Sequence, residues 1–301
     1  MKDAWYVITG ATGHIGRRIA EPLLAAGRRV RVIGRSADRL KSLSELGAEP
    51  VVGSIEEPAV LRRALQKAAA VFLMVPPNPA VADFRAWQKG IVEIYAAAVR
   101  ESGVARAVTL SSIGAGLSSG TGPILGLHYL EEALTAIKGL SAVHLRPAFF
   151  MENHLHSIPA IRATGGMITP LRPDLPMPMI ATQDIAGVAA QVLQENGVPG
   201  ASTREVLGPR DVTMQDVARI LGRAIGQPDL PYAQAPYEAA EKAMMGAGMS
   251  ASVAGLMTEM ERGFNEGRIK ALEQRSPSNF TPTTIEEFAR TVFAPAYVGG
   301  A

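Results

Sequence analysis

The chain has 301 residues, 47% hydrophobic and 19% charged, and its 30 basic and 28 acidic side chains leave a formal charge of +2. That balance excludes a disordered chain, offers no basic tract for nucleic acid, and includes no apolar run of the ~20 residues that cross a membrane. The absence of cysteine removes disulfides, thiolate nucleophiles and cysteine metal sites; with no secretory pattern in residues 1–16, the expected location is cytoplasmic.

Trp5-Tyr6-Val7-Ile8 predicts a first strand, and the segment from Arg17 to Glu21 has a helical composition. Between them stands Thr9-Gly10-Ala11-Thr12-Gly13-His14-Ile15-Gly16, a Gly-x-x-Gly-x-x-Gly spacing one residue wider at its first gap than G-x-G-x-x-G. Glycines there let the backbone approach a pyrophosphate, and the helix N-terminus adds free N–H groups and the positive end of its dipole. The pattern therefore points to a dinucleotide cofactor, with an ordinary strand-to-helix turn as the plain alternative.

Short apolar runs at 30–33, 51–52, 71–75 and 107–110 alternate with helix-like stretches at 37–46, 58–68 and 84–101, and 143–145 reads as a sixth strand stopped by Pro147. This βαβα alternation predicts an α/β fold, a Rossmann-type doubly wound parallel sheet with right-handed crossovers. Prolines then cluster from Pro159 to Pro178, and most methionines fall at or beyond Met151. A smaller C-terminal substrate lobe is expected there. The helix predicted at 181–194 and the strand at 204–207 return to the main sheet, so the lobes interleave. Residues 1–152 with about 180–210 form the nucleotide domain, and about 153–179 with 211–301 the small lobe. Helices over 213–226, 237–245 and 250–265 complete that lobe.

At the end of the second strand, where a carboxylate would bind the ribose of NAD, the chain has Ile33-Gly34-Arg35-Ser36. With no acid present, the Arg35 guanidinium suits a phosphate, helped by Ser36 at a helix N-terminus and by Arg39 one turn on. NADPH is expected over NADH, against the bland reading of a solvated arginine pair.

The Tyr and Lys four residues apart that serve ordinary short-chain reductases are missing, since no tyrosine of this chain has a lysine at that spacing. His128 and Glu132 instead share one helix face at i,i+4, so the carboxylate can orient the ring and favour its protonated form.

The order of Gly10, Gly13 and Gly16, Leu110-Ser111-Ser112, His128 with Glu132, Leu145-Arg146-Pro147 and Met151-Glu152-Asn153 resembles the NmrA-like family of the atypical short-chain dehydrogenase/reductases. Residues 178–186 and Gly208-Pro209-Arg210 extend the likeness over nearly the whole chain. Members include quinone reductases, a triphenylmethane-dye reductase, plant phenylpropanoid reductases, and regulators that bind the nucleotide without turnover. The resemblance implies Thr12, His14 and Ile15 along the pyrophosphate and Met74, Val75, Pro76 and Pro77 against the adenine-side ribose. It further implies Ser111 beside the nicotinamide ribose and Phe149 and Phe150 bordering the nicotinamide. Where the family usually carries an aspartate near the adenine, this chain has Gly53-Ser54-Ile55.

The expected function is an NADPH-dependent reductase of a flat conjugated carbonyl, quinone or imine. A non-catalytic NADP(H) sensor with a protein partner is the first alternative, and an isomerase or lyase using the nucleotide without net oxidation the second. His128 is the candidate proton or hydrogen-bond donor, Tyr129 the alternative donor and Glu132 the orienting group, against a merely structural histidine. Asn153 is either a buried link between lobes or a ligand contact. His154-Leu155-His156 lacks a third ligand, so no metal is expected. Met244, Met245, Met249, Met257 and Met260, with Phe264, either pack the small lobe or wall a flat substrate. A small-molecule substrate and a homodimer are the expected partners, with no nucleic acid and no membrane.

Overall fold

The computed structural model describes residues 4–197 and 200–299, so the expected lobe ends at 1–3 and 300–301 lie outside the described residues. From the first strand, β1 (Trp5–Ile8), the chain runs through α1 (His14–Ala25), β2 (Arg29–Gly34), α2 (Ala37–Glu45), β3 (Glu49–Val52), α3 (Pro58–Leu65) and β4 (Ala68–Leu73). It continues through α4 (Phe84–Ser102), β5 (Arg106–Leu110), α5 (Leu125–Thr135) and β6 (Ser141–Pro147). Among the described residues these strands and a later one, Gly200–Val206, form a seven-stranded sheet whose pairings are all parallel.

Both faces of this sheet are covered, as period-2 alternation requires of parallel strands. Tyr6, Ile8, Val30, Val32, Phe72 and Val108 point into a core shared with α1 and α2. Val7, Ile33, Val71, Leu73 and Ala107 point the other way, into a second core built with α3, α4 and α5. The arrangement is Rossmann-type. Strands β1, β2 and β3 step toward one edge, and β4 returns to the opposite side of β1. A crevice therefore opens above the C-terminal ends of β1 and β4, where such sheets take their ligands.

Beyond β6 the elements are β7 (Phe149–Phe150), α6 (Ile158–Thr164), β8 (Met167–Thr169), β9 (Met177–Ile180), α7 (Thr182–Gln194) and β10 (Gly200–Val206). There follow β11 (Asp211–Val212), α8 (Met214–Ala224), β12 (Tyr232–Gln234), α9 (Tyr237–Gly246) and α10 (Ala251–Asn265). Last come α11 (Ile285–Phe288), a π-helical turn over Ala289–Phe293 and α12 (Ala294–Gly299). Strand β10 extends the main sheet beside β6, while β7, β9 and β11 form a small mixed sheet and β8 pairs with β12. Helix α10 is fastened over the main body: Pro79 accepts from the Ser250 amide at 2.8 Å, Ser252 Oγ accepts from the Phe84 amide at 3.1 Å, and Arg85 pairs with Glu259 at 3.1 Å. No helix among the described residues is long and apolar enough to cross a membrane.

Several boundaries differ from the sequence pattern for local reasons. Helix α3 stops at Leu65 rather than 68, because Lys67 adopts φ +56° and starts β4 at Ala68, in register with Trp5. Strand β6 runs from 141 through Pro147, longer than 143–145; the proline sits at the strand end, where a missing N–H costs little, and its carbonyl still accepts from Ile113 at 3.1 Å. The helices beyond residue 284 had no sequence counterpart; Ile285, Phe288, Ala289 and Phe293 bury their side chains in the main core.

Gly16 shows how tight the first turn is. A Cβ there would stand 2.4 Å from the Gly10 carbonyl oxygen and 2.7 Å from its carbon, so α1 lies directly on the turn. Replacing Gly16 by Ala forces backbone apart and is expected to lower stability by roughly 1–3 kcal/mol, read as a drop in the urea midpoint.

Candidate active site

Gly10 has φ +63°, a conformation open to glycine, and a side chain there would collide with Met74 Sδ at 2.3 Å. The turn and the end of β4 thus touch across the crevice. Met74 is held further by its own backbone, with its N–H donating to Thr9 Oγ1 at 3.0 Å and its carbonyl accepting from Tyr95 Oη at 2.8 Å. Only its side chain is left for a ligand. Val75 and Pro76 are half-buried behind it and Pro77 is exposed.

The N-terminus of α1 is left open. Helices α2, α4, α8, α10 and α11 are capped by Ser36, Asp83, Thr213, Ser250 and Thr284, whereas Gly13 gives α1 no side-chain cap and its first turn has no acid. Orphan N–H groups and the positive dipole end are therefore unanswered by the protein. Gly13 and His14 are exposed, Thr12 is half-buried, and Ile15 and Gly16 turn inward. Ile15 can offer a ligand its backbone and not its side chain.

Arg35, at the end of β2, is exposed and makes no hydrogen bond or ion pair with any described residue. Arg39 is partly committed, its Nη2 donating to the Thr12 carbonyl at 3.3 Å, and the Ser36 hydroxyl accepts from the Arg39 amide at 3.4 Å as the cap of α2. Both arginines belong to the rim of the glycine turn.

The Ser111 side chain is buried and its hydroxyl donates to Glu131 Oε1 at 2.5 Å, so its proton is committed inside the fold and only its oxygen lone pairs remain for a ligand. Glu131 in turn takes a bidentate pair from Arg146, with Nε at 3.0 Å and Nη2 at 2.5 Å. The Glu131 bond holds the Arg146 proton more firmly than usual, and Glu205 and Glu273 add attraction. One step down the same strand face, His144 Nδ1 lies 2.9 Å from Thr109 Oγ1, and burial lowers the His144 pKa. Sequence reasoning passed over Glu131 and Arg146. The available signal was polar residues at alternate positions in apolar segments: Thr109 on β5 with Ser111 just beyond its end, and His144 and Arg146 on β6.

The three catalytic candidates all lie on α5. His128 donates through Nδ1 to the Ala115 carbonyl at 2.9 Å, leaving Nε2 3.4 Å from Glu132, whose side chain is 65% exposed. The expected pair exists, but it faces the protein surface, and the histidine pins the loop after β5. Tyr129 is turned away from that loop: its ring lies under Lys89 Nζ at 5.1 Å and packs in the α4–α5 seam. The His128 and Tyr129 rings nevertheless lie side by side, with centroids 5.8 Å apart and planes tilted by 56°.

Phe149 and Phe150 are half-buried, and the Phe149 ring meets Phe264 of α10 edge-on at 6.0 Å and His154 at 5.6 Å. His154 is fully enclosed; its Nε2 has no partner, and burial lowers its pKa to about 4. His156 is exposed, so these two histidines do not face one site. Asn153 is exposed too, which excludes the buried-link reading; the link is Glu152, whose carboxylate takes the Thr182 amide at 3.0 Å and its hydroxyl at 2.5 Å. Met257 and Met260 are half-buried on α10.

The NmrA-like family matches residues 3–289. The chain belongs to that family. Among curated relatives it is 30% identical over 256 residues to an NAD(P)H azoreductase of Xenophilus azovorans, covering 84% of this chain and 85% of the relative. It is also 32% identical over 239 residues to a (4-alkanoyl-5-oxo-2,5-dihydrofuran-3-yl)methyl phosphate reductase of Streptomyces griseus, covering 79% and 80%. Among solved structures, an NADPH-dependent quinone oxidoreductase of Escherichia coli complexed with NADPH superposes with TM-score 0.79 at 22% identity, over 96% of this chain and 99% of that one. Citrobacter triphenylmethane reductase complexed with NADP(H) gives 0.76 at 19%, over 95% and 99%. The family fold is thus complete in this chain.

Removing one partner of the buried Glu131–Arg146 pair strands the other charge. Arg146→Met is expected to cost about 3–5 kcal/mol, and the double variant Glu131→Gln with Arg146→Met distinctly less, a comparison made by chemical denaturation.

Proposed function

We propose that the protein is an NADPH-dependent reductase of flat conjugated acceptors. The observation that carries the cofactor half is the uncapped, acid-free N-terminus of α1 beside Arg35, a guanidinium without a partner among the described residues. Diphosphate oxygens answer the helix end, and a ribose phosphate answers Arg35. The cradle fits: Gly10 and Gly13 keep the turn free of side chains, and no carboxylate stands at the end of β2 to repel a phosphate. When bound, NADPH supplies the hydride.

The acceptor half draws on the relatives. One is named for reduction of an azo group and another for a butenolide bearing a conjugated double bond, both planar systems that take a hydride at a polarised bond. Here the half-buried Phe149 and Phe150 supply the apolar border that such a molecule needs against the nicotinamide, and Phe264 extends it onto α10. Residues 153–179 and 211–301 act as the substrate-binding part. His128 works chiefly as a positioning residue, holding the loop after β5 through Nδ1, with the Tyr129 ring beside it.

The test is spectrophotometric. Purified protein is expected to consume NADPH with naphthoquinone, an azo dye or a butenolide enone. Tight NADPH binding without turnover on any of the three would instead assign a nucleotide sensor, and product without net NADPH loss an isomerase. Arg35→Asp is expected to weaken NADPH by roughly 10- to 100-fold with little change for NADH, as measured by calorimetry; an unchanged ratio of the two affinities refutes the phosphate role.

A further inference from the structure

We propose that the Glu261 carboxyl is the polar anchor of the substrate site, donating a hydrogen bond to the acceptor oxygen or nitrogen of the conjugated ligand. The proposal rests on the reductase reading and adds to it the residue that selects the substrate.

Glu261 lies on α10, three residues before Phe264 and four after Met257, so the three side chains share one face of that helix. The face is located by its contacts, since Phe264 meets Phe149 at 6.0 Å and Asn265 donates to the Pro170 carbonyl at 2.9 Å. Phe264 brings this face against Phe149 of β7, at the apolar border of the proposed site, and Glu261 stands one helical turn from that contact with Tyr232 in its surroundings.

What distinguishes this carboxyl is that the fold leaves it unanswered. Its Oε2 is buried without a hydrogen bond, and the carboxyl as a whole bonds to no described residue. Neighbouring polar groups are already spent. Tyr232 donates to the Leu171 carbonyl at 2.6 Å and lies 2.6 Å from Thr169 Oγ1. Asn265 uses both amide hydrogens, on Pro170 and on Tyr237 Oη at 2.7 Å, and its oxygen takes the Arg172 amide at 2.8 Å. On α10 itself Glu259 is paired with Arg85 of α4, and the Arg262 guanidinium lies over Tyr237 of α9 at 4.7 Å. Buried polar groups are ordinarily satisfied by their own protein, so one that is not has its hydrogen-bonding capacity left for a ligand.

The chemistry of the anchor follows from its surroundings. Burial alone raises the Glu261 pKa to about 7, with no cation contributing, and the same environment pushes Tyr232 up to about 12. Near neutrality much of the group is therefore the acid, with an O–H to give. A carbonyl oxygen or an azo nitrogen accepts that proton, whereas a hydrocarbon of the same shape has nothing to receive it. The anchor selects flat molecules by one acceptor atom.

The sign of the pH effect is fixed by the raised pKa. Below the ordinary glutamate value the group is protonated folded or unfolded and contributes nothing. As pH rises from there to about 7, the unfolded chain ionises first and stability falls. Glu261→Gln, which keeps the shape and an N–H donor, removes that loss. The expected stability difference is therefore small near pH 4.5 and in favour of Glu261→Gln at about pH 8.5.

The deciding experiment measures binding of naphthoquinone and of naphthalene to the protein saturated with NADP+, by calorimetry, for wild type, Glu261→Gln and Glu261→Leu. Wild type is expected to bind naphthoquinone about tenfold more tightly than Glu261→Leu near pH 6 and to lose that margin by about pH 8.5. Glu261→Gln keeps most of the affinity without the pH dependence, and naphthalene binding is the same in all three. Equal naphthoquinone affinity in wild type and Glu261→Leu, in protein that still reduces the quinone, overturns the anchor and leaves the reductase intact. A wild type that binds NADPH but neither binds nor reduces any conjugated acceptor overturns both.

Discussion

One buried cation couples the parts of this protein that must hold still. Arg146 leaves β6 and grips Glu131 on α5 with both arms of its guanidinium, and Glu131 takes the Ser111 hydroxyl from β5. On the neighbouring strand Glu205 pairs in register with Arg146 and accepts the amides of Leu272 and Glu273 at 2.9–3.0 Å. The β10–β6–β5 side of the sheet, the helix carrying His128 and the segment following α10 are thus tied through one charge. A buried ion pair of this kind adds little over an apolar replacement, because desolvation consumes most of its attraction. Its value is geometric: the guanidinium admits carboxylate partners in one plane, so strand order, helix roll and chain return are set together.

The backbone of the fold was legible because parallel strands and their crossovers write period and punctuation into the chain. Val30, Val32 and Ile33 could hardly be anything other than a strand with both faces covered, and Ser36 announced the helix that it caps. The glycine turn was legible for the same reason, since its spacing is dictated by how closely α1 approaches Gly10. The site beyond it was less so. A helical pattern shows that His128 and Glu132 share a face, but not which way that face is turned, and Glu131, adjacent in sequence, proved to be the buried member. The partner of the Ser111 hydroxyl was not legible, because its acceptor lies twenty residues away in the chain. Likewise Asn153 and Glu152 exchange roles, for one residue of rotation in the irregular helix after β7 decides which is exposed and which caps α7.

Two kinds of buried polar group emerge from the comparison. Glu131, Glu152 and Glu205 are saturated with donors and serve the architecture. Glu261 and the imidazole Nε2 of His154 are enclosed without a partner. His154 sits beside Phe149 as a neutral ring, so it shapes the apolar wall instead of charging it. Such unfulfilled groups are costly in a folded chain; others lie at Arg85, Trp87 and Gln88 on α4 and at Arg106 and Thr121, whereas Glu261 and His154 belong to the elements around Phe149 and Phe264.

The bare amino end of the first helix has a thermodynamic corollary. A native state whose leading helix is completed by a guest, and whose unfolded chain has no affinity for that guest, gains stability in proportion to the logarithm of the guest's concentration. On the proposed function, the working lifetime of the polypeptide is thereby linked to the supply of phosphorylated nucleotide. Starved of it, the molecule retains its sheet but carries an exposed, uncompensated helix terminus at the point where β1 and α1 meet.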